Sequence, residues 1–278
     1  MLLATLAPVA ASAPPVTPLQ AAVLGAIQGL TEFLPISSSA HLYAVPEMLG
    51  WRYEGVAFDV ALHWGTLLAL VAAFWKDWLA LFRGALAGPA PERGTARATL
   101  LRLVVASVPA AVAGVLLQDA AEERLRALPL QAVMLVVFGL LLWLSDRGRP
   151  GGRHEDVPGW GTSLFVGFAQ ALALVPGVSR SGITMTAGRT AGLDRVSAAR
   201  FSFLLATPIT FGAGLVEARH LPHDLPVAAL AVGMLTSAVV GLLAIHGLIR
   251  WLGRAGFAVF FAYRVVAAGL ILAWLALR

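Results

Sequence analysis

Seven apolar runs, at residues 57–75, 99–117, 130–145, 159–175, 198–216, 225–245 and 256–277, are separated only by short charged stretches. Most approach the ~20 residues that a helix needs to cross hydrocarbon. In that solvent the backbone must satisfy its own polar groups, which makes the helix the natural spanning element. Only 13% of the 278 residues are charged, about half the share found in soluble domains, and the mean hydropathy is +0.81. The chain is therefore expected to be an all-α polytopic membrane protein. Tryptophans such as Trp51, Trp75, Trp143 and Trp251 fall near the ends of runs, where an amphipathic ring suits the membrane interface.

The net charge of +5 does not point to nucleic acid, because the basic residues are spread through connecting segments and form no dense arm. With no cysteine, disulfides, thiolate nucleophiles and cysteine metal sites are excluded. Residues 1–18 are uncharged and rich in Ala and Pro. They lack the basic start of a signal peptide and are expected to be loosely ordered.

Against this apolar background, residues 25–42 read GAIQGLTEFLPISSSAHL. A lone carboxylate at membrane depth costs about 2.5–3.5 kcal/mol, so Glu32 with Ser and His beside it marks a functional site. A helix from about Leu19 to Phe33 should break at Leu34-Pro35, because proline cannot continue the donor ladder and Ser37–Ser39 favour turns. Broken backbone at that depth is tolerated only against protein or a water-filled cavity. A polar pocket is expected there.

Residues 167–184, GFAQALALVPGVSRSGIT, echo this stretch at an offset of 142: Gly25 matches Gly167, Gln28 Gln170, Leu30 Leu172, Ser37 Ser179 and Ser39 Ser181. The expected architecture is an inverted-topology repeat, each half a re-entrant helical hairpin plus three transmembrane helices. The first repeat covers 19–146 with its hairpin at about 19–50, and the second 147–278 with its hairpin at about 159–190. Three spans per half invert the second half. The segment 76–98, read as a loop, then shares one side with 146–158, with Arg189, Arg195 and Arg200, and with Arg250 and Arg254. The other side receives Arg52, the Glu122–Arg126 loop, Arg219 and Arg278. The positive-inside rule makes the basic side cytoplasmic, and sites in such repeats lie near the midplane where broken helices meet.

The second motif carries Ser179, Arg180, Ser181 and Thr184 and no acid. A guanidinium fork, hydroxyls and amides at a helix start suit an oxyanion. Glu32 can hold a divalent metal or take a proton, Ser38 can act as nucleophile, and His41 titrates near neutrality. Together the two stretches suggest a phosphate-ester or diphosphate hydrolase.

TEFLPISSSAH and PGVSRSGIT resemble the two signature motifs of the bacterial undecaprenyl-pyrophosphate phosphatase family, membrane enzymes associated with bacitracin resistance. ALHWGTLLALVAAFW, FSFLLATP and the AYR at Ala262–Arg264 extend the resemblance through most of the chain. It implies hydrolysis of undecaprenyl diphosphate to the monophosphate, which recycles the carrier for cell-wall synthesis. It also implies Mg²⁺ or another divalent cation such as Ca²⁺, a bacterial inner-membrane location, and a site opening to the outer face. Glu32 then resembles the essential acid and metal ligand, Ser38 the nucleophile and His41 the essential histidine. Ser179, Arg180 and Thr184 resemble the phosphate clamp. Gln28, Ser37 and Ser181 complete the expected substrate-binding set. Relatives carry Glu or Gln at position 28, and Gln there puts in doubt any mechanism that needs two carboxylates on the metal. Ser38, His41 and water stand as alternative nucleophiles. The expected partners are a polyprenyl diphosphate lipid and the membrane, with a homodimer left open.

Two other functions were weighed. A polyprenyl-phosphate transporter or flippase would use the same inverted-repeat pocket. A type-2 phosphatidic-acid phosphatase is discounted because SSSAH stands where PSGH would, and no histidine follows Ser179-Arg180 before His220. Glu32 as a plain salt-bridge partner is the weaker reading, no basic residue lying within a helical turn of it. Asp59 and His63, four apart, can reach the pocket or serve as an interface hydrogen bond. His220 and His223 are weak evidence for zinc without a third ligand. His154-Glu155-Asp156 reads as a solvated turn, and Arg264 as bonding to carbonyls near the hairpins.

Overall fold

Thr17 opens the first helix. Its hydroxyl accepts from the Gln20 amide and the Gln20 side chain accepts from the Thr17 N–H, a reciprocal cap, with Pro18 placed where a missing N–H costs nothing. In the computed structural model, which describes residues 16–148, 151–155, 157–217 and 226–278 without the side chains of 56, 57, 118–124 and 217, eleven α-helices follow and no strand. They are α1 Pro18–Phe33, α2 Ser38–Leu49, α3 Val56–Ala73, α4 Trp75–Ala87, α5 Ala90–Arg124, α6 Leu128–Asp146, α7 Trp160–Ala171, α8 Arg180–Thr190, α9 Arg195–Glu217, α10 Val227–Leu252 and α11 Ala258–Ala276. The readings made for residues 1–15, Glu122–Arg124, Arg149, Asp156, Arg219, His220 and His223 fall outside the described residues and side chains.

Among those helices α5, α6, α9, α10 and α11 are long and apolar enough to cross a membrane, and the bent pair α3–α4 would make a sixth. The chain is a multi-pass membrane protein. α1 has 16 residues and α7 has 12, so they extend only about 24 and 18 Å, short of a ~30 Å hydrocarbon core. α1 stops at Phe33, and Leu34 turns extended ahead of Pro35, as the sterics of an X-Pro bond demand. α7 continues through a 3-10 turn, Leu172–Leu174, before its own break.

The segment 76–98 is not the loop expected of it. α4 covers Trp75–Ala87, bent 69° from α3, and α5 begins at Ala90. Trp75, Trp78, Leu79, Phe82 and Leu86 recur at helical spacing on one face, flanked by Lys76 and Arg83, and most of that apolar face is exposed. The stretch therefore folds as an amphipathic helix suited to an interface.

α1 packs chiefly against α10, α5 against α7, and α6 against α11, while α8 sits among α6, α7 and α9. Small residues set how closely these helices approach. A Cβ on Gly25 would overlap the Gly233 carbonyl of α10, and one on Gly167 would overlap the Ala106 carbonyl of α5. The central core holds Phe33, Phe74 and Phe203, with ring centroids 5.5 Å apart for Phe33–Phe203 and 6.1 Å for Phe74–Phe203.

Ion pairs gather charged residues at the two ends. At one end Asp146 Oδ1 accepts from Arg195 Nε at 2.7 Å and from Arg189 Nη2 at 3.0 Å, and its Oδ2 meets the Phe257 amide at 3.4 Å. At that end too, Asp77 pairs with Arg200 at 2.6 Å. His154 Nδ1 lies 2.9 Å from Asp194 Oδ2, beside Ser197, on an exposed turn. At the other end Arg52 lies near Glu54, Arg278 near Glu47, and the Arg126 guanidinium over the Tyr53 ring.

Ser37 and Ser179 are the non-glycine residues with positive φ among those described, at 74° and 73°. Each stands at the start of a helix that returns from a break, and each hydroxyl is 3.2 Å from that of the serine two residues on. Backbone of this kind costs about 1–3 kcal/mol for an L-residue. Ser37→Gly should therefore hold or raise the unfolding temperature in detergent, whereas Ser37→Val, branched at Cβ, should lower it. Equal melting of the two variants would count against strain at this position.

Candidate functional site

The two breaks meet inside the helix bundle. Pro35 and the ends of α1 and α7 free carbonyls that no helix can use, and a single side chain collects two of them. Arg264, wholly buried on α11, donates from Nε to the Pro35 carbonyl at 2.6 Å and from Nη1 and Nη2 to the Val178 carbonyl at 3.2 Å. Ser181 adds a bond from Oγ to the Leu34 carbonyl at 3.3 Å. The expectation that Arg264 bonds to carbonyls near the breaks agrees with this placement.

On this frame Glu32, at the last turn of α1, meets Arg180, the first residue of α8. Arg180 Nη2 donates to Glu32 Oε1 at 2.5 Å. The second carboxylate oxygen accepts from Ser38 Oγ at 2.7 Å and from Gln28 Nε2 at 3.3 Å, and faces His63 Nε2 at 3.4 Å. A direct ion pair thus joins the acid of the first motif to the guanidinium of the second and leaves no room between them for a diphosphate. Sequence spacing discounted a salt bridge because it sees only neighbours along α1, and the partner lies 148 residues away. An anion binding at Arg180 would share the guanidinium with the carboxylate or compete with it.

His63 enters the cluster from α3, a contact that its spacing from Asp59 left open. Its Nδ1 lies 2.7 Å from the Asp59 carbonyl, so Nδ1 carries a hydrogen, and the approach of Nε2 to Glu32 is attractive only when that nitrogen carries one as well. The Asp59 carboxylate turns the other way and accepts from Tyr53 OH at 2.7 Å. Groups able to carry the charge complementary to an acid lie on two sides of Glu32, Arg180 from α8 and His63 from α3.

His41 stands apart from the carboxylate. Its Nδ1 is 2.7 Å from the Ser37 carbonyl and its Nε2 is 2.7 Å from Tyr263 OH on α11. Ser37 is buried, its hydroxyl beside Ser39. In the second motif, Ser179 Oγ accepts from the Gly182 amide at 3.2 Å. Thr184 Oγ1 lies 2.6 Å from Ser202 Oγ and is buried. Ser181 and Thr184 therefore brace the start of α8, with Arg180 carrying the charge that reaches the site. Its guanidinium side chain is 14% exposed.

A hard cation fits this donor set in one specific way. Glu32 is the carboxylate of the cluster, and among the described residues no three His, Asp or Glu side chains converge. Gln28 turns its amide nitrogen to Glu32, and its buried Oε1 has no hydrogen-bond partner, which leaves an amide oxygen of the same side chain free to bind a cation. A Mg²⁺ held by few protein oxygens and completed by substrate phosphate and water matches such a site.

Comparison with known proteins covers the stretch of chain that holds these residues. The family described as bacitracin resistance protein BacA matches residues 21–270. An undecaprenyl-diphosphatase of Pelotomaculum thermopropionicum is 49% identical over 253 residues, covering 90% of this chain and 94% of its own. One from Desulforudis audaxviator is 48% identical, covering 90% and 94%, and one from Geobacter sulfurreducens is 46% identical, covering 94% and 99%.

Proposed function

Since the chain belongs to the bacitracin resistance protein BacA family, we propose that it is an undecaprenyl-diphosphatase whose reaction takes place between Glu32 and Arg180. It hydrolyses undecaprenyl diphosphate to the monophosphate and inorganic phosphate. The observation that carries the reading is the Glu32 carboxylate, held between a guanidinium that can bind phosphate and a serine hydroxyl 2.7 Å away. A hydroxyl hydrogen-bonded to a base is the arrangement of an activated nucleophile.

The terminal phosphate draws Arg180 from Glu32, and the fork neutralises charge on the phosphoryl oxygens, where phosphoryl enzymes gain most of their rate. Released from its ion pair, Glu32 takes the Ser38 proton as Oγ bonds to the terminal phosphorus. The bridging P–O bond breaks and prenyl monophosphate leaves with its electron pair. Water then cleaves the phosphoserine. His41 contacts Ser37 and Tyr263, not the acid, which favours Ser38 over His41 as nucleophile. Mg²⁺ or another divalent cation such as Ca²⁺ would be held by Glu32 and Gln28 Oε1, and when bound it supplies Lewis-acid neutralisation of phosphoryl charge.

The architecture proposed for this site is an inverted repeat with two re-entrant hairpins, covering 19–146 and 147–278. Its supports are the offset of 142 shared by Ser37 and Ser179, their matching backbone, and the like packing of Gly25 and Gly167. The location proposed is the inner membrane, with the Asp146, Arg189 and Arg195 end cytoplasmic and the site opening to the outer face; its support is the gathering of arginines at that end.

Purified protein in detergent should release phosphate from undecaprenyl diphosphate, lose that activity in EDTA and recover it with Mg²⁺. With the terminal phosphate labelled, rapid acid quench should trap an acid-stable phosphoserine at Ser38. An acid-labile adduct would move the role to His41, and no adduct would assign attack to water. Absence of phosphate release by well-folded protein would overturn the function itself.

A further inference from the structure

Beyond the groups that meet Glu32, one contact at the mouth has no part in the mechanism above. His41 Nδ1 lies 2.7 Å from the carbonyl of Ser37, which can only accept. That nitrogen therefore carries the hydrogen, and in the neutral ring Nε2 is left with a lone pair. Tyr263 OH is 2.7 Å from Nε2 and is its donor. The rings stack, with centroids 5.7 Å apart and planes 18° from parallel.

We infer that Tyr263 is a positioning residue for the reaction: the Ser37 carbonyl sets His41 as the Nδ1–H tautomer, and the Tyr263 hydroxyl holds the ring with Nε2 presented as the working nitrogen. This deepens the phosphatase reading and rests on it. The arrangement has a structural source: Tyr263 precedes Arg264 on α11, and Arg264 ties both breaks. The same turn of helix therefore places the Ser37 end of the break and the phenol that faces His41. Tyr263 is 43% exposed at the surface of the bundle, whereas Ser37 is buried. A phosphate arriving at the mouth meets Nε2 only by sharing or displacing the phenol.

The test uses full-length protein labelled with ¹⁵N-histidine in detergent, the His41 signals being assigned as those lost in His41→Gln. The wild type should show protonated Nδ1 and an unprotonated, hydrogen-bonded Nε2. In Tyr263→Phe the Nε2 signal should move to the position of an unbonded acceptor. That variant keeps the ring and its packing. Its kcat should fall about tenfold, the worth of one neutral hydrogen bond, with KM changed less than twofold. A protonated Nε2 in the wild type, an Nε2 signal unmoved by Tyr263→Phe, or an effect confined to KM would each overturn the inference. Failure of the wild type to release phosphate would count against the phosphatase reading alone, because the nitrogen signals are read without turnover.

Discussion

Glu32→Gln should bind the diphosphate headgroup more tightly and yet barely turn it over. In the wild type, substrate competes with a carboxylate for the Arg180 guanidinium, held at 2.5 Å. A neutral amide at position 32 keeps the shape and removes the competing charge. Measured in EDTA, where no cation needs the carboxylate, a non-hydrolysable prenyl bisphosphonate should gain affinity for Glu32→Gln. The kcat with Mg²⁺ should drop about 10³-fold, since both the base for Ser38 and the anionic metal ligand are lost. Arg180→Ala should lose a similar factor through charge stabilisation, but with weaker anion binding. Arg180→Lys should recover only part of it, because an ammonium lacks the planar fork. Weaker bisphosphonate binding by Glu32→Gln in EDTA would show that the ion pair does not hold the site shut.

The other large effect belongs to Arg264. Arg264→Met leaves the Pro35 and Val178 carbonyls without their donor. An orphaned buried carbonyl costs about 1–3 kcal/mol, and here two of them sit where both breaks must stay in register. The unfolding temperature in detergent should fall steeply, and the folded fraction should retain less than about 1% of wild-type turnover, because small misplacements of reacting groups can cost 10²-fold. Gly139→Leu offers an independent route to the same result. A Cβ at Gly139 would stand 2.8 Å from Arg264 Cδ, so the larger side chain should displace the arginine without deleting its charge. If Gly139→Leu loses stability but keeps full activity per folded molecule, the arginine serves the fold alone.

What the sequence made legible was mostly local. The stop at Leu34-Pro35 follows from proline sterics, and it is found within one residue of α1's end. The shared offset placed Ser37 and Ser179 at like positions, and their matching backbone could not be read from a hydroxyl residue that commonly turns left-handed nowhere. α4 was missed because charge suggested a loop, while the five apolar residues on its other face decided the outcome. Glu32 was recognised as costly, but its partner was not, since spacing along α1 carries no information about a residue 148 positions on. His63 was left open between the pocket and an interface bond, and Tyr263 was not singled out, for the same reason: only tertiary packing aims one at the acid and the other at His41.

The knot of Asp146 with Arg189 and Arg195 ties the end of α6 to α8 and α9, and the rings of Phe33, Phe74 and Phe203 fill the core. A lipid carrier passing through this bundle from one leaflet to the other would have to part those ion pairs and that core, which bond cleavage beside Glu32 does not require. Hydrolysis and transport of the carrier should therefore be separable events.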